Sequence, residues 1–441
     1  AWAKHLQLLS FFGRFNYTLM DRYLFTFTVR GDASSRFSKD NRWGVFPAAA
    51  LAWKITDEAW MKNVKNVMNE MKLRLGWGVT GQQDIGDSYY PYLATYVASV
   101  QGSNYPSLSG NGFISTMYPT GYDPKLKWEE TTTWNAGFDF AFLNNRITAS
   151  IDYYLRKSKD LLSYVSVPSG SSTTNMMNQN IGTLKNEGIE FSITARPIVT
   201  NDFTWTASYN VAYNKNRITK LNNDGSYIET GAISSGNGNN CQVQAVGHSV
   251  NSFFLFEQVY DKNGKPLEGV YVDQNGDGVI NDDDRRIRHS KDPKVTMSFS
   301  STFNWKNWDL GFALHANIGN YVYADAMSDH SVVDDCWKNG KVNNLIKADN
   351  YFNGTINPAV GIMKSDYWLR NASFLRCDNI TLGHTWPKLL DNKMRLRLYG
   401  AVQNPFVITK YKGLDPEVAD GIDRDLYPRA TTFTLGVVAS F

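Results

Sequence analysis

The residues best spaced for chemistry form one twelve-residue run, Asp273-Gln274-Asn275-Gly276-Asp277-Gly278-Val279-Ile280-Asn281-Asp282-Asp283-Asp284. Oxygen-bearing side chains alternate through its first half, a glycine follows, and the next residue offers a backbone carbonyl. That is the order of a calcium loop. The expected ligands are Asp273, Asn275, Asp277, the Val279 carbonyl, Asn281 through a water, and Asp284. Hard cations take roughly six to eight oxygens, and this spacing curls the donors around one point. Ca²⁺ is the expected ion, with Mg²⁺ as the alternative. Gly278 permits the sharp turn. The run departs from the template twice: Asp284 stands where a longer Glu closes the site, and no helices flank the loop. A solvated Asp/Asn/Gly turn is the competing reading. The expected role of the cation is to stiffen a long loop, 218–293, and not to catalyse.

No other constellation points to a reaction. His5, His248, His289, His315, His330 and His384 are scattered, and no HExxH, GxSxG, phosphate-binding loop or dinucleotide fingerprint occurs. The chain therefore reads as a non-enzyme with no organic cofactor. Cys241, Cys336 and Cys377 are too few for a disulfide framework and lack zinc spacing. Arg30-Gly31-Asp32 matches an adhesion tripeptide, but both charges fall on the polar face of a strand pattern, where an ion pair or simple solvation is the plainer reading. Tyr89, Tyr90, Tyr92, Tyr96, Tyr105, Trp337, Tyr351 and Phe352 enrich two loops in aromatics. Ligand contact, docking of a partner and loop self-packing all remain open for them. With 45 Lys+Arg against 42 Asp+Glu, bulk charge does not point to nucleic acid. The 42% hydrophobic content argues against disorder. No apolar run approaches the ~18 residues of a membrane helix.

The elements that must carry this loop are strands. Period-two alternation dominates the chain. Ile147, Ala149, Ile151, Tyr153 and Leu155 interleave with Thr148, Ser150, Asp152, Tyr154 and Arg156. Thirteen such segments are expected, near 6–20, 22–33, 46–55, 71–80, 130–142, 146–157, 186–197, 203–217, 294–304, 308–321, 371–385, 393–404 and 430–441. Most have the ~9–11 residues that a tilted strand needs to cross a bilayer. The connections alternate between tight turns and the long loops 34–45, 81–129, 158–185, 218–293, 322–370 and 405–429. This asymmetry is that of an outer-membrane barrel. The expected fold is an all-β, transmembrane antiparallel β-barrel. One helix is expected, over 57–68, from the spacing of Trp60, Met61, Val64 and Val67. An odd strand count leaves an open edge, which lipid does not tolerate, so residues 1–441 read as the C-terminal part of a larger barrel. The opening Ala1-Trp2-Ala3-Lys4-His5 has no leader pattern, consistent with a natural start further upstream.

Several stretches carry a family resemblance. They include Phe46-Pro47 leading to Leu51-Ala52-Trp53, Leu73 to Gln82, Leu126-Lys127-Trp128-Glu129, Asp152-Tyr153-Tyr154, and Asn186-Glu187-Gly188-Ile189-Glu190. Asp273 to Arg285, Asn379 to Gly383, Gln403-Asn404, Gly413 to Glu417 and the terminal Phe441 complete the series. In order and spacing the chain resembles the C-terminal barrel portion of SusC/RagA-type TonB-dependent outer-membrane transporters. The resemblance implies a barrel of about 22 strands, with the plug domain and the first strands absent here. It further implies a SusD-type surface lipoprotein as a lid, energy from TonB through the missing N-terminal part, and an oligosaccharide or peptide substrate. The implied location is the outer-membrane lipid of a Gram-negative bacterium. A passive diffusion porin, and a barrel whose loops serve as an adhesin or binding surface, are the alternatives.

Overall fold

The computed structural model describes residues 5–86, 89–98, 104–106, 112–166, 174, 176–221, 227–234, 239–329, 337–338, 341–342, 364–389, 391, 393–424 and 426–441. Thirteen long strands form one sheet in strict sequence order. They are β1 (Leu8–Leu19), β2 (Tyr23–Ser34), β3 (Trp43–Lys54) and β4 (Met68–Gln82). Next come β5 (Glu129–Phe142), β6 (Ile147–Lys159), β7 (Thr183–Val199) and β8 (Phe203–Lys220). The last five are β9 (Val295–Trp305), β10 (Trp308–Ile318), β11 (Phe374–Leu389), β12 (Met394–Thr409) and β13 (Thr432–Ser440). All thirteen expected segments become strands.

Each neighbouring pair is antiparallel, so register puts facing residues on one side of the sheet. Phe25, Phe27 and Val29 on β2, Ile151 and Tyr153 on β6, and Phe433, Leu435 and Val437 on β13 remain exposed on the apolar face. Lipid is the solvent that suits such a face. Trp305 and Trp308 flank one short turn and are also exposed, as membrane-interface aromatics are. Among the described residues no helix is long and apolar enough to cross a membrane.

The tight turns all lie at one end. Met20 and Asp21 adopt φ of 53° and 55°, with Arg22 N–H donating to the Leu19 carbonyl at 3.2 Å. Two positive-φ residues match the right-handed twist of the flanking strands. Leu143, Asn144 and Asn145 also take positive φ. The Asn69 side-chain carbonyl stabilises that turn by accepting from Asn144 N–H at 2.6 Å.

The long connections at the other end hold the buried core. Those at 221–294, 319–373 and 410–431 fold together. A four-stranded sheet of Ile228–Ala232, Asn240–Gln244, Ser252–Leu255 and Arg286–Ser290 lies in the first. Ile233, Cys241, Phe253, Leu255, Tyr323, Tyr367, Trp368 and Ile422, drawn from all three, pack into one cluster. A second cluster, Phe37, Phe46, Leu126 and Trp128, sits beneath the loops between β2 and β5.

The helix expected over 57–68 does not form. One 3₁₀ turn, Ile55–Asp57, runs into its start and a second, Ala59–Met61, lies in its first half. Bonds from Met61 to Glu58, Val64 to Met61 and Val67 to Val64 are all of the tighter three-residue kind. The cause is tertiary. The Glu58 carboxylate accepts from Arg22 at 2.9 Å, Tyr23 at 2.6 Å and Trp53 at 3.0 Å, which pins it to β2 and β3. Met61 is buried, but Trp60, Val64 and Val67 are exposed, so no apolar stripe is covered to support a longer helix.

Candidate functional site: a polar barrel wall and a fused loop cap

The face opposite the lipid carries the polar groups. Arg74 on β4 binds Asp139 on β5 at 2.9 Å, and it reaches Asp152 on β6 at 3.0 and 2.9 Å. Strands two apart are nearly 10 Å from each other, so a side chain must cross the strand between. Gly137 lies directly between Arg74 and Asp152 in register, and a Cβ there would overlap the Asp152 carboxylate. The same device recurs. Tyr154 on β6 crosses Gly188 on β7 and donates to Asn214 on β8 at 2.9 Å. Arg397 on β12 and Asp309 on β10 meet over Gly383 on β11, at 2.5 and 3.1 Å. Between these braces the wall is small and hydroxylated. Ser150 bonds Ser192, Thr194 bonds Ser208, and Asn210 bonds Ser298. Such a wall is wettable and presents donors and acceptors to any polar solute against it.

A charged cluster ties this wall to the loops. His315 on β10 faces Asp378 at 2.7 Å and Glu417 at 3.6 Å. Arg376 holds Asp415 at 2.6 Å, and Arg429 reaches Asp415 at 2.8 Å and Glu417 at 2.9 Å. The register slips on both sides of Asp378, which is the extra residue of a bulge in β11. Bulges re-aim a side chain, and here the carboxylate is turned onto His315.

Two carboxylates are buried in the cap. Asp325 accepts from Ser234 N–H at 2.9 Å and Ser234 Oγ at 2.8 Å. Asp423 accepts from Tyr411 Oη at 2.5 Å. The Asp423 backbone also bonds Tyr323 and Ala326, which binds loop 410–431 to loop 319–373. Burial pushes both carboxyls above the ordinary range; the Tyr411 bond opposes the shift of Asp423, while Asp415 and Asp325 raise it further. Burial likewise raises the Tyr411 phenol and the Cys241 thiol. Cys377 is buried too, so neither described cysteine is an exposed nucleophile. Cys336, His330, Tyr351 and Phe352 lie outside the described residues.

The structure brings Asp273, Asn275 and Asp277 around one turn. Asp273 accepts from Gly276 N–H at 2.6 Å and Gly278 N–H at 2.8 Å, and Asn275 accepts from Asp277 N–H at 2.9 Å. Val279 is exposed at the tip. Asn281 instead caps the 3₁₀ turn Asp282–Asp284. Asp284 is buried at the base, where its oxygens accept from Gln274 N–H at 2.8 Å and Asn281 N–H at 2.9 Å. Those backbone donors, Asn281 foremost, hold its carboxyl below the ordinary range. Among the described residues no three carboxylate, imidazole or thiol groups converge as a metal cluster. The loop's oxygens are instead mixed carboxylate, carboxamide and carbonyl, and a Ca²⁺ ion, if held there, would take them as a hard donor set. Arg285 anchors the loop to the cap. It is buried, pairs with Glu229 at 2.7 Å and donates to the Asn240 carbonyl at 2.8 Å.

Arg30 and Asp32 form an ion pair at 2.7 Å on the polar face, beside a concavity of about 430 Å³ that they line with Ser10, Thr28, Phe46 and Trp128. The described loop aromatics have individual environments. Tyr90 bonds the His5 carbonyl at 3.2 Å, Arg36 lies over the Tyr89 ring, and Tyr96 is exposed. The cross-glycine braces were not anticipated from sequence. Their only local signal is a glycine on an otherwise bulky strand.

Residues 4–404 match the family model described as TonB dependent receptor-like, beta-barrel. The chain belongs to the TonB-dependent receptor β-barrel family. It is 49% identical over its whole length to the TonB-dependent receptor SusC of Bacteroides thetaiotaomicron, of which it covers 44%. It is 31% identical to the TonB-dependent receptor P3 of Formosa agariphila, covering 46% of that protein. The solved RagAB peptide transporter superposes with a TM-score of 0.81 at 26% identity, over 99% of this chain and 48% of that one. The chain thus spans about half the length of the relatives it matches. As a family member of the SusC/RagA type, this TonB-dependent receptor barrel is a multi-pass protein of the Gram-negative outer membrane.

Proposed function

We propose that this chain is the C-terminal barrel portion of an active outer-membrane nutrient importer, energised by TonB, that works with a SusD-type lipoprotein lid and carries oligosaccharides or peptides. The observation that carries the reading is whole-length similarity to SusC at 49% identity, joined to a polar inner wall and one loop-rich end. The RagAB relative is a peptide transporter, which supports peptide alongside glycan as cargo. The chain's own residues would act as walls and not as reactants. The hydroxyls of Ser150, Ser192, Ser208 and Ser298 offer a path of exchangeable hydrogen bonds. The braces at Arg74 and Arg397 keep that wall from deforming while cargo passes. No step calls for a nucleophile or a general base, so we read the chain as non-enzymatic. Loop 273–284 takes Ca²⁺, or Mg²⁺ in its place, through Asp273, Asn275, Asp277, the Val279 carbonyl, Asn281 and Asp284. The cation stiffens the cap through Asp284 and Arg285.

The test is uptake of fluorescent oligosaccharide and peptide libraries by cells carrying the intact protein, with and without TonB. Uptake of one class that disappears without TonB is the expected result. Uptake that persists without TonB would favour a diffusion porin. Mass spectrometry of the purified complex should then find a lipidated partner.

A further inference from the structure

Three braces on the inner wall share one rule: a long polar side chain crosses a glycine on the adjacent strand and bonds a residue one strand further on. Arg74 crosses Gly137 to Asp152, Tyr154 crosses Gly188 to Asn214, and Arg397 meets Asp309 over Gly383. A fourth glycine fits the first half of the rule. Tyr399 on β12 lies opposite Gly436 on β13, and its ring tip and hydroxyl cover the Gly436 Cα, where a Cβ would collide with them. Tyr399 is on the same face as Arg397, the inner wall. Arg397 stacks over its ring at 4.9 Å and steadies it. Yet β13 has no further neighbour, and the Tyr399 hydroxyl has no hydrogen-bond partner among the described residues. The second half of the brace is missing from this chain.

We propose that Tyr399 is the closing latch of the barrel: its hydroxyl crosses Gly436 and bonds an oxygen acceptor on the inner face of the strand that pairs with β13. The occupant is a strand of the same polypeptide lying outside these 441 residues, for two reasons. The relatives are more than twice this length. In addition, β1 and β13 run in the same direction, because thirteen strands in uninterrupted antiparallel order begin and end alike. Direct closure of β13 on β1 would make a parallel seam. An antiparallel seam needs a strand of the opposite direction, and a barrel in lipid cannot leave either edge open. The acceptor is an Asp, Asn or Glu oxygen placed as Asn214 is for Tyr154. The inference rests on the partial-barrel reading above, and the experiment separates the two.

The intact outer-membrane protein is purified with p-benzoyl-phenylalanine in place of Tyr399 and irradiated, and the adduct is mapped by peptide mass spectrometry. The expected adduct lies in an alternating apolar/polar segment outside residues 1–441. Adducts to residues 8–19 would overturn both the latch and the partial-barrel reading, because β13 would then close on β1. Adducts to a second copy, to a lumen-filling domain or only to detergent would overturn the latch alone. Tyr399→Phe keeps the ring over Gly436 and removes only the hydroxyl. It should lower the temperature at which the unheated band converts to the unfolded band on electrophoresis by about 2–4 °C, the scale of one lost hydrogen bond. Tyr154→Phe serves as the comparison, and its Asn214 bond sets the shift that a brace of this kind gives. A Tyr399→Phe midpoint equal to the wild type, with Tyr154→Phe lowered, would overturn the latch while leaving barrel closure intact.

Discussion

Arg74 illustrates how one side chain serves several strands. It neutralises Asp139 and Asp152, which are mostly but not wholly removed from solvent. Removing it leaves Asp152 without a cation and Asp139 with Lys72 alone at 3.1 Å, a larger loss than an exposed pair and a smaller one than a fully buried pair. Arg74→Ala should cost about 1–3 kcal/mol in urea unfolding of the detergent-solubilised protein. Arg74→Lys should recover only part of that, because an ammonium cannot fork between two carboxylates. In the cap, Asp325 and Asp423 are raised above the ordinary carboxyl range by burial. The groups around them are Arg424, Ser234, Asp329 and Cys241 for Asp325, and Tyr411 and Asp415 for Asp423. A raised carboxyl binds its proton more tightly folded than unfolded. Its contribution is therefore fully present below the unfolded value and is lost as pH rises through the folded one. Hydrogen exchange in 320–329 and 410–424, corrected for intrinsic rates, should show weaker protection as pH climbs from the ordinary carboxyl range toward neutrality. Asp423→Asn should flatten that slope while Tyr411 keeps a partner. An unchanged slope in the variant would assign the pH effect elsewhere.

At the scale of elements, loop 273–284 is a compact turn before any cation is considered, because its own N–H groups satisfy Asp273, Asn275 and Asp284. Cation binding would then add oxygen contacts to a structure already shaped for them. Chelation with EDTA should lower the melting temperature of the cap and raise exchange in 286–290 beyond the loop itself, since Arg285 passes the disturbance into Glu229 and Asn240. Adding back Ca²⁺ should restore both, and Asp273→Ala should make the protein indifferent to either treatment. A melting curve unaffected by chelator in the wild type would return the loop to a solvated turn. The segment 55–67 carries the opposite lesson. Its residues have helical spacing, but Glu58 is claimed by Arg22, Tyr23 and Trp53, and local propensity yields to those three bonds. Glu58→Gln should loosen this turn, read as faster exchange at Met61 and Val64.

At the scale of the molecule, the sheet has no interior packing of its own. Its apolar face needs lipid, its polar face needs a filled or wet lumen, and its two edges need strands. The larger buried cluster belongs to the cap, where three loops far apart in sequence meet, and a smaller one lies under the loops between β2 and β5. The strands were legible from sequence because alternation is a local, period-two signal repeated over ten or more residues, and all thirteen segments were recognisable from it. The turn-to-loop alternation was mostly plain from a count of residues between strands, but it breaks between β3 and β4, where residues 55–67 stand at the turn end and outnumber the 35–42 connection at the loop end. What sequence could not supply was anything that depends on register. Whether Arg74 meets Asp152 is settled by which residue stands opposite Gly137, and Asp378 meets His315 only because β11 slips by one residue there. The fusion of the three loops depends on Cys241, Tyr323 and Ile422 meeting across long stretches of chain. Sequence determined the strands, their order and their two faces, because each follows from neighbours a few residues away. Only the tertiary structure decided the braces, the bulge and the cap, because each is a contact between residues whose proximity no local pattern encodes.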